Sequence, residues 1–276
     1  MKRVLILSSH VAASRVGGRV SVTAMEARGI ETVFVPTILL GRHPGHGTPG
    51  GGPVPDEQFG AMLEGVAAQG LFAQFDGVLT GYFASAGQVE IAAAAIEEIR
   101  KASPNPLIVA DPIIGDDGKL YVGEEVAAAI RDHLVPLADM ITPNAFELGW
   151  LSGNDVTTLA GFMAAAQELS PVTFMTSAQF GEDFGTAYHS GGTAILARHA
   201  KLDHLPNGTG DLLTAELMAA LVSGSDPGSA FELAMVRTLD TALKARLVES
   251  AELPDILARQ TAPHPDAMID FLPLNA

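Results

Sequence analysis

The sequence predicts an open α/β fold: a central, mostly parallel sheet with helices on both faces. Three observations predict it. Short apolar runs alternate with helix-like segments along nearly the whole chain, as in a parallel sheet whose crossovers are helices. The runs are rich in Val, Ile and Leu, which suits buried strands. Polar, chemically able residues collect just after the runs, where the carboxyl ends of such strands open on a ligand crevice.

Residues 4–7 form the first apolar run and lead into Ser9-His10. Residues 19–28 are helix-like, with Gly29 as a C-terminal stop. A β-branched strand at 32–35 is followed by the Gly/Pro-rich stretch 41–55, long enough to be a functional flap or a plain surface loop. A helix is predicted over 55–74, then a strand at 77–80 that runs into Gly81-Tyr82. The Ala-rich segment 86–101 reads as a helix closed by Ser103-Pro104. A strand at 107–110 leads to Asp111, and a helix at 124–134 precedes a short strand at 140–141. Thr142-Pro143-Asn144 follows, with Glu147 in the first turn of another helix. A helix at 156–169 and a strand at 172–175 lead to Thr176-Ser177. Residues 186–189 and 193–199 read as a strand pair turning at Gly191-Gly192. Helices at 208–221, with glycines at its start, and 229–247 complete the pattern.

No repeat, heptad or linker divides the 276 residues, so one domain over 1–276 is expected. Acidic residues number 32 against 16 basic ones, for a net charge of -16. That leaves no basic footprint for nucleic acid and no attraction to anionic lipid, and any anionic substrate must meet a local positive feature. The absence of cysteine excludes disulfides, a thiolate nucleophile and Cys-ligated zinc. The N-terminal apolar run is too short for a signal peptide, and no stretch is long enough to span a bilayer. A cytoplasmic location is expected. His43 and His46 lie three apart in the 41–55 stretch with no third ligand nearby, so they make no zinc signature.

The segment with the most chemistry is Gly208-Thr209-Gly210-Asp211 at the start of a helix. Its glycines let the backbone approach a phosphate, and free N–H groups at the helix start donate to it. A carboxylate beside such an anion hole suits a general base for a hydroxyl attacking phosphorus. By itself Asp211 is equally a helix cap after a glycine turn. Asp111-Pro112-Ile113-Ile114-Gly115-Asp116 and Thr142-Pro143-Asn144-Ala145-Phe146-Glu147 each follow a strand. Their hard oxygen groups suit magnesium or a monovalent cation, although Asp-Pro also opens turns and Glu147 also suits a helix start.

With these segments the chain resembles the pyridoxal kinases of the ribokinase-like superfamily over roughly residues 4–250. The resemblance also rests on Ser9-His10-Val11, Arg15-Val16-Gly17, Leu79-Thr80-Gly81-Tyr82 and Leu120-Tyr121-Val122. It implies a ribokinase-like fold and phosphorylation of the pyridoxal 5′-hydroxyl by ATP, with Mg2+ and K+ as cofactors, in a homodimer. It further implies that Asp211 is the base and that Gly208, Thr209 and Gly210 form the anion hole. Ser9, Val16, Thr37, His43 and Tyr82 would line the pyridine pocket. Asp111, Tyr121, Asn144, Glu147, Thr176, Ser177 and Gly208 would meet ATP, and Asp111, Thr142 and Glu147 would organise cations. After Thr37 this chain reads Ile38-Leu39-Leu40-Gly41-Arg42-His43, where the family commonly has a polar-aromatic pair and Ser-Asn-His. Gly18 stands where the family has asparagine. The alternatives are a hydroxymethylpyrimidine-type kinase, a branch that commonly carries cysteine where Asp211 stands, and a non-catalytic binder of pyridoxal phosphate or nucleotide.

Overall fold

The structure is a computed structural model that describes residues 1–203, 205–253 and 268–274. Along the chain run β1 (Arg3–Val11), α1 (Gly18–Glu26), β2 (Glu31–Leu40), β3 (Gly51–Pro53), α2 (Asp56–Ala68), β4 (Gly77–Thr80), α3 (Ala86–Ala102) and β5 (Leu107–Ala110). A small hairpin, β6 (Gly115–Asp116) and β7 (Lys119–Leu120), precedes α4 (Glu124–Ala129), which a π-helical turn extends over Ile130–Leu134. Then come β8 (Met140–Ile141), α5 (Ala145–Ser152), α6 (Leu159–Leu169), β9 (Val172–Phe180), β10 (Asp183–Ser190) and β11 (Thr193–Arg198). The last elements are α7 (Thr209–Val222), α8 (Pro227–Leu247) and β12 (Asp270–Pro273).

Apart from the β6–β7 pair, the described strands form one sheet in the order β12-β11-β10-β9-β8-β5-β4-β1-β2-β3. From β2 through β1, β4, β5 and β8 to β9 it is parallel. The edges are antiparallel, with β3 on one side and β10 to β12 on the other. The chain leaves β1 to form β2 on one side and returns to form β4 on the other. The switch point therefore lies at β1, and crevices open beyond the carboxyl ends of strands at such points.

Side-chain alternation sorts β1 between two cores. Val4 and Ile6 pack with α1, α7 and α8, whereas Leu5 and Leu7 pack with α2, α3 and α4. A third cluster joins β8 to β11 with Leu148 of α5 and Phe162 of α6. Helix α7 is apolar nearly all round and buried along most of its length, as befits a helix wrapped by neighbours. Its buried Glu216 meets Arg28 and Arg237.

The parallel strands and their crossovers lie where the sequence pattern puts them. The predicted helix over 55–74 is instead α2 plus a 3-10 turn at Leu71–Gln74, because Gly70 between them is left-handed, with φ 71°. The 41–55 stretch is a folded arm: β2 continues to Leu40, and β3 returns beside it, pairing Leu40 with Gly51 and Ile38 with Pro53.

Candidate active site

The carboxyl ends of β5, β8 and β9, the β6–β7 hairpin and the start of α7 enclose a cleft of about 360 Å3. Gly208 to Asp211 form one wall. Asp111, Tyr121, Thr142, Asn144, Glu147, Thr176 and Ser177 line the rest. The structure thus gathers every residue that the sequence assigned to base, anion hole, nucleotide or cation.

Gly208 caps α7 with φ 85°, and a Cβ there would come within 2.3 Å of the Arg15 carbonyl oxygen. Only glycine fits that conformation and contact. A Cβ at Gly210 would meet nothing within 4 Å, which leaves open space before the helix N-terminus where an anion would sit. Thr209 fixes the turn by donating from Oγ1 to the Pro206 carbonyl at 2.7 Å.

Asp211 lies between this cleft and a much smaller void lined by Ser8, Ser21, Thr80, Gly81, Asp111 and Thr214. Its carboxyl is pushed up to about 6 by burial, against the opposing pull of the Gly17 N–H bonded to it. Asp111, 8% exposed, is raised well above the usual carboxylate range by burial and then by the charges of Asp211 and Glu147; hydrogen bonds from Thr142 and Thr214 oppose the rise. Thr214 Oγ1 is 2.9 Å from Thr142 Oγ1 and 3.3 Å from Asp111 Oδ2.

Glu147 and Asn144 form a reciprocal capping box at the start of α5. The Asn144 N–H donates to Glu147 Oε2 at 2.8 Å, and the Glu147 N–H to Asn144 Oδ1 at 2.9 Å. Glu147 Oε1 also accepts the N–H groups of Ile114 and Gly115, at 3.0 and 3.3 Å. Asn144 Nδ2 donates to the Gly115 carbonyl at 2.8 Å. Both side chains therefore bolt the β6–β7 hairpin to α5 as well as lining the cleft. Burial raises the Glu147 carboxyl to about 7 against these amide donors.

On the opposite wall, the β9–β10 ladder shifts register between Gly185 and Ala187, and Ser177 is left-handed with φ 55°. Such a bulge re-aims the side chains beside it. It leaves Ser177 exposed beside the cleft.

The five residues assigned to a pyridine pocket do not line the 360 Å3 cleft. Ser9 and Val16 lie beside Asp211 through the Gly17 turn, where a Cβ on Gly17 would come 2.1 Å from Ser9 Oγ. Thr37 Oγ1 donates to the Tyr82 carbonyl at 2.7 Å, tying the β2 and β4 ends together. His43 caps the 3-10 turn Pro44–His46 in the arm, its ring accepting the Gly45 N–H. Three participants escaped sequence reasoning: Gly17 as donor to Asp211, Thr214 between Asp111 and Thr142, and buried Gln88. Gln88 Nε2 donates to the carbonyls of Thr37 and Val54, and its Oε1 accepts the Ala84 N–H. A local signal existed only for the β6–β7 hairpin, in its Asp117-Gly118 turn; both residues have positive φ.

A parallel α/β sheet with a glycine-opened helix start, a half-buried carboxylate beside it and further carboxylates across the cleft defines a ribokinase-like phosphotransferase. A family model described as phosphomethylpyrimidine kinase matches residues 22–249, and the chain belongs to that family. Over 259 residues it is 36% identical to the pyridoxine/pyridoxal/pyridoxamine kinase of Bordetella avium, covering 91% of this chain and 88% of that protein. It is 29% identical to the pyridoxal kinase of Corynebacterium diphtheriae over 95% of this chain and 96% of that one. The pyridoxal kinase of Leishmania donovani, solved with ADP and pyridoxamine, superposes with a TM-score of 0.87 at 29% identity, covering all of both chains.

Proposed function

We propose that this protein transfers the γ-phosphoryl group of ATP to the 5′-hydroxyl of pyridoxal. The observation that carries the proposal is the position of Asp211. It stands beside the anion-binding turn of α7, with the cleft on one side and the β1–β4 switch point on the other. ATP would occupy the cleft, with its terminal phosphate at the N–H groups of Gly208 to Gly210. The alcohol would approach from the side of Ser9, Val16, Thr37, His43 and Tyr82. Its oxygen bonds to the γ-phosphorus as the bond to the ADP oxygen breaks, and Asp211 takes the hydroxyl proton. The kinases from Bordetella avium and Leishmania donovani, by their names and bound molecules, support the substrate assignment.

Magnesium fits the donor set. Burial raises Asp111, Glu147 and Asp211, Asp111 further through the charges of the other two, and among the described residues no Lys or Arg lines the cleft. A polyphosphate there needs cationic compensation. Among the described residues no three acidic or histidine side chains converge into a protein-only metal cage. That suits an ion held by one or two carboxylates plus substrate phosphates. Asp111 is the carboxylate best placed to hold it. Thr142 and Glu147 would act beside it, with Glu147 steering through the amides it binds. The bound ion would neutralise charge developing on the phosphates. The K+ requirement, the homodimer and the cytoplasmic location belong to the same proposal, as does the reading of 1–276 as one catalytic domain. Among the described residues no helix is long and apolar enough to cross a membrane.

The test is a panel of pyridoxal, pyridoxine, pyridoxamine and hydroxymethylpyrimidine, with ADP release measured in magnesium and potassium. Turnover of the B6 vitamers is expected. Turnover of the pyrimidine alcohol alone would reassign the substrate, and no ADP with any alcohol would favour a non-catalytic binder.

A further inference from the structure

The glycine turn of α7, the Arg15–Gly17 turn and the β2–β3 arm come from distant parts of the chain, and all three meet at Glu252. Glu252 Oε2 accepts the Arg15 N–H at 2.8 Å. Its other oxygen, Oε1, lies 3.1 Å from His46 Nε2 at the tip of the arm. Asn207, next to Gly208, donates its N–H to the Ala251 carbonyl at 3.1 Å, and Asn207 and Glu252 form an isolated parallel bridge. Arg15 Nη1 donates to the carbonyl of fully buried Leu253 at 2.8 Å. The local backbone is held in turn by Ser250, whose Oγ donates to the Glu252 carbonyl at 2.7 Å and accepts the Glu252 N–H at 3.1 Å.

The His46–Glu252 pair is partly exposed, with side-chain exposures of 39% and 27%. Such pairs add little to global stability. Their geometry matters more here, because Arg15 precedes the Val16-Gly17 step that touches Ser9 and Asp211, and its carbonyl rests on Gly208. One carboxylate thus fixes the arm on one side and the turn carrying the Gly17 donor on the other.

We infer that Glu252 is a positioning residue for phosphoryl transfer, latching the β2–β3 arm and the Arg15–Gly17 turn onto the glycine turn of α7. The inference rests on reading the site as that of a kinase for a small alcohol. Glu252 touches no residue assigned to the nucleotide through its side chain, so its loss should act on the acceptor side. Substitution by glutamine keeps an acceptor for Arg15 and a partner for His46.

The experiment compares the full-length wild type with Glu252→Ala, Glu252→Gln, His46→Ala and the His46→Ala/Glu252→Ala double variant. KM for pyridoxal at saturating Mg-ATP, KM for ATP at saturating pyridoxal, and protease cleavage within 44–50 are measured. Glu252→Ala should raise the pyridoxal KM about 3- to 10-fold, the scale of one lost, partly exposed charge-assisted hydrogen bond. The ATP KM should stay within about two-fold, the mark of an effect confined to one substrate. Cleavage in the arm should accelerate, Glu252→Gln should recover most of the loss, and the double variant should be no worse than Glu252→Ala. An unchanged pyridoxal KM, or equal rises in both KM values without rescue by glutamine, would overturn the inference. If Glu252→Ala fails to fold, His46→Ala on the exposed arm decides: wild-type KM and cleavage there would overturn it. If the wild type phosphorylates no alcohol, the kinase reading fails, and the cleavage comparison still tests the latch.

Discussion

The surroundings of Asp211 set how readily its carboxyl takes up a proton. Burial raises its carboxyl to about 6, so near neutral pH it is a carboxylate with more basicity than an exposed aspartate. Turnover should therefore rise with pH through about 6, as the base form appears, and a profile flat down to pH 4 would contradict that role. The same shift opposes folding. A carboxyl whose folded value lies above its unfolded one destabilises the fold at neutral pH, and the penalty vanishes as pH falls below the unfolded value. Asp211→Asn should thus raise stability at pH 8 by up to about 3 kcal/mol, the equivalent of a two-unit shift. Equal or lower stability in denaturant titrations would show that Asp211 has favourable partners beyond the Gly17 N–H. Asp211 was legible in the sequence because glycines and an acid at a helix start leave few readings. Gly17 and Thr214 were not, since a backbone donor and a buried hydroxyl acquire their roles only when β1, β5 and α7 meet.

At the scale of elements, a buried polar side chain helps to hold the β2–β3 arm, and another the β6–β7 hairpin. Gln88 in α3 is 0% exposed and satisfies backbone groups of Thr37, Val54 and Ala84. Gln88→Ala would remove that partner from the Val54 carbonyl and the Ala84 N–H, whereas the Thr37 carbonyl keeps the Val54 N–H. It should cost about 2 kcal/mol or more, at about 1–3 kcal/mol per unmet group, and raise the pyridoxal KM; a loss under about 1 kcal/mol in a denaturant titration would mean that water replaces the amide. Glu147 has the same role at the hairpin. Glu147→Gln keeps one acceptor oxygen but turns its NH2 toward N–H donors on the other side, so it should lose less stability than Glu147→Ala while raising the KM for Mg-ATP. Glu147→Ala should lose both stability and nucleotide affinity. Equal, wild-type KM values for the two would reduce Glu147 to a helix cap. The parallel strands were legible because apolar runs ending in polar residues say what they are. The arm was not, because a stretch of glycines and prolines carries no periodicity, and β3 exists only by pairing with a β2 longer than its apolar run. Gln88 reads as an ordinary helix residue until its partners fold against it.

For the whole molecule, the topology and the charge act together. The switch point at β1 brings residues from both ends of the chain, Ser9 and Asp211 among them, to one end of the sheet. With a net charge of -16, the protein repels ATP at long range; on the proposed function, the helix start and a bound cation would supply the attraction locally. ATP affinity should fall sharply when magnesium is removed with a chelator, and equal affinity with and without magnesium in calorimetry would contradict this account. On the proposed mechanism, Asp211 takes the hydroxyl proton of pyridoxal as the phosphoryl group is transferred. The direct measurement is the rate of pyridoxal 5′-phosphate formation by wild type and Asp211→Asn at saturating Mg-ATP. The wild type should form it one-for-one with ADP. Asp211→Asn should be about 10²- to 10⁴-fold slower, the usual contribution of a positioned base, with both KM values little changed. A folded Asp211→Asn variant with near-wild-type turnover would contradict the claim and leave Asp211 as an acidic residue in the first turn of α7.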